Sequence, residues 1–171
     1  MNSRFGGVEE RERGTNAEHR LMNVMKRTND YVRVSTKDED RKEHWDVLSR
    51  SMGKVEIKSQ KKLQRSDAHV CDEYIWLEIR DIVGGPGWIV GGKADVVAFE
   101  QRKGFLVVDR EELKTYLEKE VIPRCELTEP TSDPKDALGR FYSRAGRRDC
   151  VTLVPKKDIS DLPSTYILTS R

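Results

Sequence analysis

The sequence predicts an α/β protein built on a mixed central β-sheet flanked by helices. Three observations carry that prediction. Leu21, Val24 and Met25 supply one helical apolar face near the start of the chain. A run of short apolar segments separated by glycines and charged turns fills the middle. A second amphipathic helix and a last apolar strand follow. A helix, several strands, another helix and a strand fit a mixed sheet covered by helices. At 171 residues the chain is long enough for one domain with a real core.

Residues 1–14 are charged, carry Glu9-Glu10-Arg11-Glu12-Arg13 and show no apolar period, so they are expected to form a flexible tail. The domain is expected to span 15–171. Thr15 or Asn16 can cap a helix beginning near Ala17 and ended by Asn29-Asp30. Tyr31 to Val34 alternates and reads as a strand; Lys37 to Glu43 reads as a solvated charged stretch. Trp45 to Leu48 is the second expected strand, 49–53 a turn, and Lys54 to Lys58 the third strand. Residues 59–69 are polar and basic, a loop or a short helix. Tyr74 to Val83 is rich in β-branched and aromatic residues and is broken by Gly84-Gly85-Pro86-Gly87. Trp88 to Val90, Asp95 to Phe99 and Phe105 to Val108 read as short strands. Asp109 caps a helix over Arg110 to Val121, with Leu113, Leu117 and Val121 on one face and Pro123 as its stop. A Pro/Asp/Ser/Thr loop covers 126–136, and Cys150 to Val154 is the last strand.

Hydrophobic and charged residues each make up 36% of the chain, which predicts a polar, soluble protein. The 32 basic and 30 acidic residues leave a net charge of only +2, so any argument about a charged partner has to rest on local clusters. No apolar run approaches membrane-spanning length. Cys71, Cys125 and Cys150 are odd in number and far apart, matching neither a zinc pattern nor a disulfide framework. A reducing, cytoplasmic setting without a membrane partner is the expectation.

The residues with the most chemistry lie on the third expected strand. In Val55-Glu56-Ile57-Lys58, side chains alternate, so Glu56 and Lys58 share a face and Ile57 takes the other. A second carboxylate from Asp46 would complete a site for a hard divalent cation beside an ammonium group, a combination suited to phosphodiester hydrolysis. The bland alternative is a surface ion pair between Glu56 and Lys58, which would do little.

The order of helix, strand, turn and strand with acid-x-lysine resembles the PD-(D/E)XK nuclease superfamily, over roughly Ala17 to Phe99. The resemblance implies a restriction-endonuclease-like fold and a Mg²⁺- or Mn²⁺-dependent nuclease acting on DNA. It implies metal ligation by Asp46 and Glu56 with Glu18 in support, Lys58 at the phosphate, and Gln60 helping to hold the attacking water. His44-Trp45 precedes the aspartate, so the proline of the family motif is absent. Cutting both strands of a duplex needs two such sites, which a homodimer would supply.

Two basic clusters suit phosphate contacts. Lys61, Lys62 and Arg65 follow the acid-x-lysine strand, and Arg140, Arg144, Arg147 and Arg148 surround Phe141 and Tyr142, either of which could stack on an unpaired base. The run Gly84 to Lys93 lacks the ending of a phosphate-binding loop and reads as turns between strands. Two other functions fit the same composition: a catalytically inactive nuclease-like module that binds nucleic acid, and a domain whose charged faces dock a protein.

Overall fold

The structure, a computed structural model, describes residues 5–28, 30–64, 66–144 and 146–169. In chain order its elements are α1 (Phe5–Arg27), β1 (Val32–Val34), α2 (Lys37–Glu43), β2 (Val47–Ser49), β3 (Gly53–Lys58), β4 (Tyr74–Arg80), α3 (Trp88–Gly91), β5 (Val96–Gln101), β6 (Gly104–Asp109), α4 (Arg110–Tyr116), a π-helical turn (Leu117–Val121), α5 (Ile122–Glu126), β7 (Cys150–Pro155), α6 (Lys156–Ser160) and β8 (Tyr166–Thr169). The class is α/β with a mixed sheet, as the alternating patterns predict. Among the described residues no helix is long and apolar enough to cross a membrane.

The chain packs as two compact units with interleaved boundaries. The first comprises 1–60, 93–107 and 166–171, the second 61–92 and 108–165. The first unit holds a six-stranded sheet in the order β1-β2-β3-β5-β6-β8. β1, β2 and β3 pair antiparallel, β3 and β5 parallel, and β6 and β8 antiparallel. α1 packs against β1, β2 and β3. Ala17, Leu21 and Met25 lie on successive turns of α1 and meet Val47, Val55, Ile57, Ala98, Phe105 and Val107 in one apolar cluster. This is the face that the helical period picks out. α1 itself starts at Phe5, well ahead of the expected start near Ala17; polar and glycine residues in its first half carry no apolar period to betray it.

Two further differences in this unit have local causes. Lys37–Glu43 is a helix, α2. Its Thr36 side chain accepts from the Glu39 N–H at 3.3 Å while Glu39 accepts from the Thr36 N–H at 2.8 Å, a reciprocal capping box. His44 then closes the helix in the left-handed conformation with φ 52°, so it is a helix cap and takes no place in a strand beside Asp46. β3 enters through Gly53 at φ +74°, where a Cβ would collide with the Asp95 carboxylate. Asp95 in turn accepts from the Lys54 N–H at 2.7 Å, fixing the start of the strand.

The second unit is built on the β4–β7 antiparallel pair. Trp88–Gly91 is a single helical turn where a strand is expected, because short apolar runs fit either period. Asp109 caps α4 as predicted, accepting from the Glu112 N–H at 2.9 Å. Pro123 does not stop that helix. The chain widens into the π turn just before it and continues to Glu126, so the lost donor and the ring are accommodated without a break.

Candidate active site

The first unit places the acid-x-lysine residues as strand alternation requires. Val55 and Ile57 enter the apolar cluster under α1, which puts Glu56 and Lys58 on the opposite face. Glu56 is only 5% exposed, and its Oε1 accepts from the Lys58 ammonium. The pair is part-buried: Glu56 is enclosed, while the Lys58 side chain keeps 25% of its exposure. Burial makes each charge depend on the other, because an unpaired buried ion is costly.

Asp46 sits one residue before β2. Its N–H donates to the Val55 carbonyl at 2.9 Å, and its Oδ2 accepts from the Ile57 N–H at 2.6 Å. The carboxylate therefore lies against the peptide link between Glu56 and Ile57. Burial, then the Glu56 charge, pushes the Asp46 carboxyl up to about 7; the Ile57 N–H and the Lys58 ammonium act in the other direction. Glu18, on α1, is also raised, first by burial and then by the charges of Asp46 and of Asp40 on α2. Glu18, Asp46, Glu56 and Lys58, drawn from a helix and two strand regions, thus share one electrostatic neighbourhood.

Gln60 follows β3, and its N–H donates to Glu100 Oε2 at 3.1 Å. Glu100 also pairs with Arg20 of α1, whose guanidinium donates in addition to the Gln101 carbonyl at 3.2 Å. That brace ties α1, the exit of β3 and β5 together. Arg20, Glu100 and Asp40 are absent from the expectations above. The Thr36-x-x-Glu39 box is the signal that would have placed Asp40 on a helix, whereas Arg20 and Glu100, eighty residues apart, have no local signal.

Asp46 and Glu56 are thus two neighbouring carboxyls beside the Lys58 ammonium, and burial first and the Glu56 charge second raise the Asp46 carboxyl. Mg²⁺ is commonly held by one or two carboxylates while keeping several waters, so this donor set fits it. Among the described residues no three His, Cys, Asp or Glu side chains form a metal-holding group. The three-carboxylate set of Asp46, Glu56 and Glu18 is accordingly reduced to Asp46 and Glu56. One oxygen of each is already engaged, by Ile57 and by Lys58, and Glu18 is a charged neighbour of Asp46.

The basic residues fall in the second unit. Lys61 and Lys62 contribute backbone carbonyls to its framework, accepting from the Cys71 N–H at 2.8 Å and the Trp76 indole at 3.4 Å. Arg65 lies outside the described residues. Arg140, Arg147 and Arg148 are exposed. Arg144 is not a free phosphate ligand: its guanidinium holds the buried carboxylate of Asp149, with Nε at 2.7 Å from Oδ2. Tyr142 is likewise spoken for, its ring packing against Trp76 with centroids 5.6 Å apart. No protein family, curated protein or solved structure matches this chain, so its function has to be read from the geometry alone.

Proposed function

We propose that the chain is a divalent-metal-dependent nuclease with a restriction-endonuclease-like fold, hydrolysing phosphodiester bonds of DNA. The observation that carries this reading is the geometry around β3, where Asp46 Oδ2 accepts from the Ile57 N–H beside a buried Glu56 that pairs with Lys58; burial in that place raises the Asp46 carboxyl. Strongly perturbed titrating groups held together at a cost to the fold mark functional sites. Asp46 and Glu56 would hold Mg²⁺ or Mn²⁺. When bound, the ion supplies a more acidic water and neutralises charge on the phosphate. Lys58 stabilises charge developing on the phosphate oxygens, and its pairing with Glu56 orients it for that task. Glu18 feels the charge of Asp46, and Gln60 stands two residues past the lysine, anchored through its backbone to Glu100.

The test is nicking of a supercoiled plasmid with and without Mg²⁺, using the parent chain, Glu56→Ala and Lys58→Ala. Metal-dependent nicking that both substitutions abolish supports the proposal. If either variant cuts like the parent, its residue has no catalytic role. An inactive nuclease-like module that binds nucleic acid is the second reading, favoured by the exposed Arg140, Arg147 and Arg148, which need no metal to meet phosphate. It binds DNA with steep salt dependence and never nicks it.

A further inference from the structure

The turn between β4 and α3 displays two bulky apolar side chains to solvent in a rigid frame. Ile82 is 57% and Val83 is 71% exposed. The Asp81 N–H donates to the Gly85 carbonyl at 3.0 Å, and the Gly84 N–H to the Asp81 carbonyl at 3.1 Å. Asp81 Oδ1 accepts from the Val83 and Gly85 N–H groups at 2.9 and 2.8 Å. The Gly87 N–H donates to Ile79 and closes the base of the loop at 3.0 Å. Gly84, at φ +90°, takes a conformation that side-chain-bearing residues avoid.

An arginine lies against the same loop. The aliphatic stem of Arg148 lies along Gly84, where a Cβ would sit 3.3 Å from its Cδ. Arg147 and Arg148 are both exposed. The one acidic residue in the loop, Asp81, spends its carboxylate on the loop's own N–H groups. The surface is therefore a fixed apolar point with positive charge beside it.

We infer that Ile82 and Val83 form a wedge that enters the minor groove of duplex DNA, with Arg147 and Arg148 on the flanking phosphates. The inference rests on the DNA reading above and adds the form of the substrate and the element that grips it. Proteins that kink DNA insert aliphatic side chains between base steps and neutralise the adjacent backbone with arginine. A wedge needs a stiff mount, and the Asp81 bonds supply one, so little ordering remains to be done on binding. A bilayer is the poorer match, because the loop has none of the aromatic residues that favour the membrane interface.

The experiment measures binding of the full chain to a short DNA duplex carrying 2-aminopurine, in EDTA so that no cleavage is required. The parent should bind, and the 2-aminopurine emission should rise as a step unstacks. The double variant Ile82→Ser/Val83→Ser should lose about tenfold in affinity and the emission change, while keeping its salt dependence. Arg148→Ala should weaken binding and lower the salt slope by about one. Circular dichroism melts of both variants verify that the fold is kept. Parent-like affinity and emission in the double variant would overturn the inference. So would absence of duplex binding by the parent, or a loss in the double variant confined to binding of anionic vesicles. A parent that binds and unstacks but never nicks leaves the wedge standing and sinks the nuclease reading. A double variant that nicks and binds like the parent does the reverse.

Discussion

Each unit of this protein buries a carboxylate against a cation, and the two pairs differ in what surrounds them. In the second unit Asp149 is 2% exposed and Arg144 reaches it through two guanidinium nitrogens. In the first unit Glu56 is 5% exposed and meets the single ammonium of Lys58, but Asp46 sits against the next peptide and Glu18 is close enough to feel it. The first arrangement balances charge one to one. The second has a further carboxyl beside it, Asp46, which burial first and the Glu56 charge second push up to about 7. Burial and pairing are thus common to a structural brace and to a candidate site; what separates them is the further carboxyls beside the second, Asp46 and Glu18, both raised by burial and neighbouring charge.

That contrast can be broken at several points. The largest effect is on chemistry. Glu56→Ala and Lys58→Ala should each reduce metal-dependent nicking by about a thousandfold or more, read as initial rates on supercoiled plasmid. Next is the dependence of stability on pH. A carboxyl whose folded pKa lies above its unfolded value holds its proton more firmly in the folded chain. The Asp46 penalty is therefore absent below about pH 4, grows as pH rises, and is complete above about pH 7, amounting to on the order of 4 kcal/mol. Denaturant melts across that range should show the decline in the parent and a much flatter profile in Asp46→Asn; equal profiles would mean that Asp46 is not perturbed.

A smaller effect sharpens the contrast by its sign. Near about pH 8, Asp149→Asn should destabilise the chain by about 2 kcal/mol, because it leaves the Arg144 guanidinium without its partner charge. Asp46→Asn should do the opposite and stabilise by on the order of 2 kcal/mol, since it removes the cost of an ionised carboxylate there and leaves the Glu56–Lys58 pair intact. Urea midpoints read both. If the two substitutions shift stability in the same direction, the distinction between brace and site fails.

Local periods and short motifs explain which parts of this architecture can be seen in the sequence. Alternation in Val55-Glu56-Ile57-Lys58 places the acid and the lysine on one face because a strand has a period of two. The spacing of Leu21, Val24 and Met25 identifies the buried stripe of α1, since apolar residues there have nowhere else to go. Helix α2 hides among charged residues and is given away only by Thr36 and Glu39. Trp88–Gly91 and the passage of Pro123 depend on tertiary packing and a π turn, which no local period encodes. The brace from Arg20 to Glu100, the engagement of Arg144 by Asp149, and the interleaving of the two units arise from contacts between distant segments. Basic composition alone therefore overstates how many arginines are free for phosphate, while the pairing of Glu56 with Lys58, set within one strand, follows from alternation.

The central claim is that Asp46 and Glu56 together take up a divalent cation. Its most direct test is a crystal soaked in Mn²⁺ near about pH 8, where the Asp46 carboxyl is ionised. The account predicts an anomalous peak coordinated by both carboxylates and missing from crystals of Glu56→Gln. No peak there, or a Mn²⁺ ion bound elsewhere while these two groups stay unligated, contradicts it.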